Sequence, residues 1–357
     1  MLPYICLFGC LVICAFFETN NVSFLGDANN LHGVRKRNGY IIVPLIIILI
    51  LGVFRETTMG HDSETYYIYY WSQLDRYSWT DLLTNFSNDN GFFFILKVIA
   101  IFTDDYWVAR AILFVLTFAL YYTAILKESP YPTISLIVFL GLGNLGLMFS
   151  ILRQALAGAI CLHAYRRIRY REWVQCLVLI LLAMTVHKSA ILCLFMLMLY
   201  FIRAKQFSGI KLVVLSIASY LFLLIVIPIA TLLYADGRYE TIAMSDGGVG
   251  MLIFIILIVM LTAQLMRMTG SNKDHELKFL FNLSSGALFL QMGALQWSLL
   301  NRMVVYFSVY WCLLMPKLIY KLSRKQRIMY FFIISVLFGF LFFYQLSEVD
   351  MYVWHKF

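Results

Sequence analysis

Apolar stretches recur along this chain that are too continuous to be the buried stripe of a surface helix; residues 40–54, 134–149 and 329–346 are examples. About 20 mostly apolar residues cross a bilayer as a helix, so a chain made of such runs folds in lipid. Composition agrees: 62% of residues are hydrophobic, 13% are charged, and mean hydropathy is +0.81. The polar gaps are too short to hold a soluble domain. The expectation is an all-α, polytopic integral membrane protein, with one domain over residues 1–357.

The basic residues fall in alternate gaps. Arg35, Lys36 and Arg37 share one gap, and Lys127 stands alone in the next on that face. Arg166, Arg167, Arg169 and Arg171 form a cluster, and Arg203, Lys205 and Lys211 another. Arg267, Lys273 and Lys278 follow, then Lys317, Lys321, Arg324, Lys325 and Arg327. These are 19 of the 28 Lys and Arg, and the positive-inside rule turns them to the cytoplasm. The net charge of +9 therefore reflects topology and contact with membrane lipids, and gives no ground for a nucleic-acid partner.

Under that constraint the apolar runs predict about twelve transmembrane helices with both termini outside. The spans are 2–17, 40–54, 107–126, 131–149, 151–165, 173–187, 189–202, 211–234, 249–268, 279–296, 303–320 and 328–346. Residues 92–102 hold Lys97 and are short for a crossing, so they are read as a re-entrant or interfacial segment in the outer loop 55–106. The first apolar run has no basic flank before it and no small-residue site after it, so no cleavable signal peptide is expected. All seven cysteines lie in or beside apolar runs, which argues for packing rather than a disulfide framework.

The unusual polar residues converge on the outer face. Arg55 ends the second span, followed by Gly60, His61 and Asp62. Arg153 and Gln154 open the fifth, His187-Lys188-Ser189-Ala190 forms a tight turn, and Asn301-Arg302 begins the eleventh. A single arginine at a helix end can be a snorkelling anchor. His187 and Asp62 are poor anchors, which favours a site. The bland alternatives are a hydrogen-bonded turn for His187 and a helix N-cap for Asp62. Asp104-Asp105 reads as a helix cap, and no metal-ligand spacing accompanies it. The aromatics from Tyr66 to Trp79 read as an interfacial belt, with sugar stacking as the alternative.

Three of these stretches resemble the EpsG-type branch of the Wzy-like bacterial polysaccharide polymerases. Arg55-Glu-Thr-Thr-Met-Gly60-His-Asp62-x3-Tyr66 is similar to that family's arginine followed by G-x-D-x3-Y. Ser150-Ile-Leu-Arg153-Gln154-Ala155-Leu-Ala157 resembles its R-Q-x-[IL]-A helix start, and His187-Lys-Ser189-Ala190 its H-x-S-A element. Asn301-Arg302-Met303-x2-Tyr306-Phe307 is a weaker fourth match. One departure is Asp89-Asn90-Gly91-Phe92, where relatives often carry an acidic residue directly before the glycine.

The resemblance implies a GT-C-like membrane glycosyltransferase of the inner membrane. It would polymerise undecaprenyl-diphosphate-linked oligosaccharide repeats at the periplasmic face, without a cofactor or metal. A chain-length regulator and a flippase are the implied partners. Arginine suits a departing diphosphate, because its always-charged fork meets phosphate oxygens in pairs. Arg55, Arg153 and Arg302 are the candidate diphosphate ligands. His187 and Asp62 compete as proton acceptor for the attacking sugar hydroxyl. Gln154, Tyr66, Ser189 and Tyr306 are candidates for positioning the substrate. The alternatives are an O-antigen ligase and a transporter of the same lipid-linked sugar; a transporter would be expected to carry repeated halves and mid-membrane charges.

Overall fold

The computed structural model describes residues 1–21, 39–56, 59–60, 62–84, 90–201, 211–212, 214–222, 224, 248–297, 299–347 and 352–354. Among them every regular element is helical, and a single isolated bridge pairs Arg55 with Trp354. Five helices are long and apolar enough to cross a membrane: Leu2–Asn20, Tyr106–Glu128, Val249–Met268, Leu299–Tyr320 and Arg324–Leu346. Pro132–Gly141 and Asn144–Ser150 make a sixth if the pair, bent by 59°, is one span. The shorter apolar helices are Ile42–Val53, Asn90–Ala100, Trp173–Val186 and Lys188–Phe201. The expected multi-pass helical membrane protein is therefore present. Residues 225–234 of the expected span 211–234, and the basic residues 35–37, 203 and 205, lie outside the described residues.

Two departures from the expected spans have physical causes. The run 131–149 is broken at Gly143, which takes a left-handed φ of 78°. Gln345 packs against that glycine so closely that a Cβ would lie 2.1 Å from its Oε1. The Asn144 amide then donates to the Phe139 carbonyl at 2.9 Å, replacing a lost helical bond. The second departure is Leu152–Arg169, which is much more polar than its neighbours. It is nonetheless mostly buried, because its surroundings are protein rather than lipid. Small residues Ala155, Ala157, Gly158 and Ala159 on this helix let neighbours approach closely; a Cβ on Gly158 would sit 2.7 Å from the Tyr121 hydroxyl.

Leu152–Arg169 also defines two ends of the bundle. At its C-terminal end, Glu128, whose side chain is 1% exposed, pairs with Arg166 at 3.5 Å, with Lys317 at 3.7 Å and with Arg169. Glu276 pairs with Arg169 at 3.1 Å and with Lys317, and accepts from the Tyr165 hydroxyl. Lys321 and Asp274 are 2.7 Å apart. Members of two basic clusters about 150 residues apart thus meet in one layer. Arg153 stands at the opposite end, about 25 Å away at 1.5 Å per residue.

The segment between Arg55 and Tyr106 leaves and returns at the Arg153 end. Arg110, in the first turns of Tyr106–Glu128, donates to the carbonyls of Glu56 at 3.3 Å and Met59 at 3.1 Å. Asn90–Ala100 begins against Thr185, and its Lys97 donates to the Tyr77 carbonyl. Tyr4 and Tyr352 pack edge to face, with centroids 5.8 Å apart, so both chain ends approach the Arg153 end too.

Candidate functional site

The site is assembled where four segments of the chain meet. Gly60 has a φ of 104°, a region that a Cβ disfavours, and a Cβ there would lie 2.5 Å from the Phe149 carbonyl oxygen. Only glycine lets this turn rest directly on the backbone that leads into Leu152–Arg169. Asp62 follows at the N-cap position of Ser63–Tyr69, but its side chain makes no cap hydrogen bond. Its Oδ2 instead lies 3.5 Å from Nη1 of Arg302. The cap alternative for Asp62 is thereby replaced by an ion pair. Asp105 does cap its helix, accepting from the Trp107 N–H at 2.8 Å.

Arg153 occupies the first turn of an 18-residue helix, where the unpaired N–H groups and the helix dipole favour an anion. Its guanidinium lies over two aromatic faces, 4.7 Å from the Tyr70 centroid and 5.7 Å from that of Tyr66. Tyr66 is buried against Phe92, and its hydroxyl faces the Arg153 backbone N–H at 3.5 Å. The aromatic run 66–79 is therefore largely a packing layer on Asn90–Ala100: Tyr70 and Tyr77 sit 5.0 and 4.5 Å from Phe93. Gln154 is buried and donates to the Arg302 carbonyl, tying the two arginine-bearing segments together.

His187 sits in the turn after Trp173–Val186, outside that helix. Its backbone carbonyl accepts from Ala190 N–H at 3.0 Å, but its Nδ1 is buried with no hydrogen-bond partner among the described residues. The hydrogen-bonded-turn alternative does not account for the ring. Burial first, and then the charges of Arg153 and Arg302, lower its pKa from 6.5 to about 4. Ser189, two residues on, donates to the Tyr306 hydroxyl at 3.0 Å. Asp62, Tyr66, Arg153, Gln154, His187, Ser189, Arg302 and Tyr306 thus come together at one end of the bundle.

Arg55 does not join them at the surface. It is 2% exposed, donates to the Met148 carbonyl at 3.3 Å, and lies 4.3 Å over the Phe149 ring. His61 and Asp89 lie outside the described residues. Sequence reading missed Arg110, Tyr70 and the C-terminal residues 352–354. Arg110 had a signal, since a lone cation inside an apolar helix is costly unless it has a partner. Tyr70 had one as well, at i+4 from Tyr66 on one helical face.

Chemically, this layer offers two guanidiniums and a helix N-terminus for an anion, beside a neutral imidazole and a carboxylate held by one of the arginines. No curated protein and no solved structure matches the chain. Residues 39–356 match the EpsG family. With nearly the whole chain covered and these motifs gathered into one layer, the protein belongs to the EpsG family, a Wzy-like family of polysaccharide polymerases.

Proposed function

We propose that this membrane glycosyltransferase moves a growing glycan from undecaprenyl diphosphate to a hydroxyl of the next lipid-linked repeat, at the periplasmic face of the inner membrane. The observation that carries this reading is the convergence of Arg153, Arg302, Asp62 and His187 from four distant segments. Arg153 and Arg302 take the diphosphate, whose charge grows as the anomeric C–O bond breaks. Donors aimed at developing charge are each worth about 2.7–4 kcal/mol. The acceptor hydroxyl oxygen bonds to the anomeric carbon, its proton passes to His187, and the electrons of the broken bond stay on the diphosphate. Asp62 braces Arg302 until the anion arrives. Tyr66 and Gln154 hold the arginines in register, and Ser189 with Tyr306 lines the acceptor side.

Orientation and architecture belong to the same proposal. The basic residues around Glu128 face the cytoplasm by the positive-inside rule, which turns the Arg153 end outward. Twelve crossings in a GT-C-like frame, with 92–102 kept at the outer side, complete this reading. The test is reconstitution with a synthetic lipid-linked repeat. A ladder of glycan lengths is expected, lost in Arg153→Ala. Translocation of the repeat without chain growth would identify a transporter instead, and a single transfer to a lipid acceptor would identify a ligase.

A further inference from the structure

Residues 352–354 lie nearly 300 positions from the segment they touch. The Tyr352 hydroxyl donates to the Leu51 carbonyl at 2.9 Å, one of the carbonyls that the end of Ile42–Val53 leaves without a helical partner. The Tyr352 ring is packed between Tyr4 and Trp354, at 5.8 and 4.7 Å. Trp354 forms an antiparallel bridge with Arg55. The Glu56 N–H donates to the Val353 carbonyl at 2.9 Å, and the Val353 N–H faces the Met59 sulfur at 3.3 Å. These contacts satisfy backbone groups in a non-helical stretch at the membrane surface, where unpaired groups are costly.

The stretch they hold leads directly to Gly60 and Asp62. Its Arg55 side chain reaches the Met148 carbonyl and the Phe149 ring, and Phe149 is the residue on whose carbonyl Gly60 rests. Arg55 is a lever between residues 352–354 and both walls of the site. We infer that residues 352–354 form a positioning strap, which through Arg55 sets the placement of Asp62 and Arg153 for glycan transfer. This inference rests on the polymerase reading for its kinetic consequence, and on geometry alone for its mechanical one.

Two arms of one experiment separate these, using the full chain, a chain ending at Met351 and Tyr352→Phe in nanodiscs. The first arm is hydrogen exchange at amides 55–62. Removing the strap should accelerate exchange there by about tenfold or more, since each lost hydrogen bond is worth about 1 kcal/mol, and leave Trp173–Val186 unchanged. The second arm is turnover of a lipid-linked repeat. Truncation should lower kcat about tenfold with donor KM nearly constant, and Tyr352→Phe should lower it about threefold. Unchanged exchange at 55–62 overturns the inference, as does an undiminished kcat in Tyr352→Phe, including where the truncated chain fails to insert. If the parent chain makes no polymer, the polymerase reading fails, and the exchange arm still decides whether the strap holds the segment.

Discussion

Binding of the proposed lipid diphosphate donor should raise the basicity of His187, and the size of the change follows from its surroundings. In the free protein, burial and then Arg153 and Arg302 hold its pKa down from 6.5 to about 4. That displacement disfavours the imidazolium by about 3.4 kcal/mol. The imidazole of the empty site is therefore neutral at pH 7, but a weak base. A diphosphate between the two arginines cancels their repulsion. One negative charge about 6 Å away, at an effective dielectric of about 20, favours the imidazolium by about 2.8 kcal/mol, or about two pK units. The complex should titrate near pH 6. The acid limb of kcat/KM reports the free protein and should lie near pH 4, whereas that of kcat reports the complex and should lie about two units higher. Linkage gives a second sign. The unfolded chain binds more protons between pH 4 and 6.5, so this group's contribution to stability rises with pH through that window and is complete above 6.5. Coincident limbs for kcat and kcat/KM, or a kcat limb that survives in His187→Ala, would refute the assignment of His187 as base.

Further outcomes follow from the same geometry. Arg153→Lys keeps the charge but neither covers Tyr66 and Tyr70 nor offers a paired fork, so kcat should fall about 100-fold while the protein still inserts; normal glycan lengths from this variant would show that a point charge suffices. Gly60→Ala forces a Cβ against the Phe149 carbonyl at a φ of 104°; strain of about 1–3 kcal/mol should appear as lost turnover, and parent-like activity would show the turn to be adaptable. Glu128→Ala leaves Arg166, Arg169 and Lys317 without the carboxylate they share. It should destabilise the bundle by about 3 kcal/mol, read as a lower melting temperature in detergent, and an unchanged Tm would remove this network from the account of stability. A cysteine replacing exposed Tyr69 should react with an impermeant reagent in intact cells, and one replacing exposed Tyr170 only after permeabilisation; the reverse pattern would invert the orientation.

The alternation of basic gaps carried most of what could be read without coordinates. It put Arg153, His187, Arg302 and Asp62 in one layer, and those four do meet. It also put Arg166, Arg169, Lys317 and Lys321 in the other, where the Glu128 and Glu276 carboxylates collect them. Charge is read layer by layer, because lipid forces every ionisable group toward an end. Within a layer the sequence was silent. Arg55 opens a matched motif, yet its side chain turns inward, since adjacency along an irregular stretch carries no periodicity to set direction. The break at Gly143 depends on Gln345, about 200 residues away, and the pairing of Arg55 with Trp354 has no local signal at all. The helix Leu152–Arg169 could be expected only from its neighbours; a helix wrapped in protein keeps polar residues that one facing lipid would exclude.

The unequal lengths of the helices bear on the bilayer itself. Ile42–Val53 has 12 residues and Trp173–Val186 has 14, about 18 and 21 Å at 1.5 Å per residue, against a hydrocarbon core of about 30 Å. Tyr106–Glu128, with 23 residues, is longer than that core. Where such short helices span the bilayer, lipid beside them pinches inward, at a modest cost for each ångström of mismatch. His187 follows one of them, in the turn at its end. In the proposed reaction a lipid-linked donor would approach through that dimple in the bilayer. Lipids with longer acyl chains would deepen that dimple and raise the work of filling it. For the proposed transfer, membrane thickness thereby becomes a variable set by helix length.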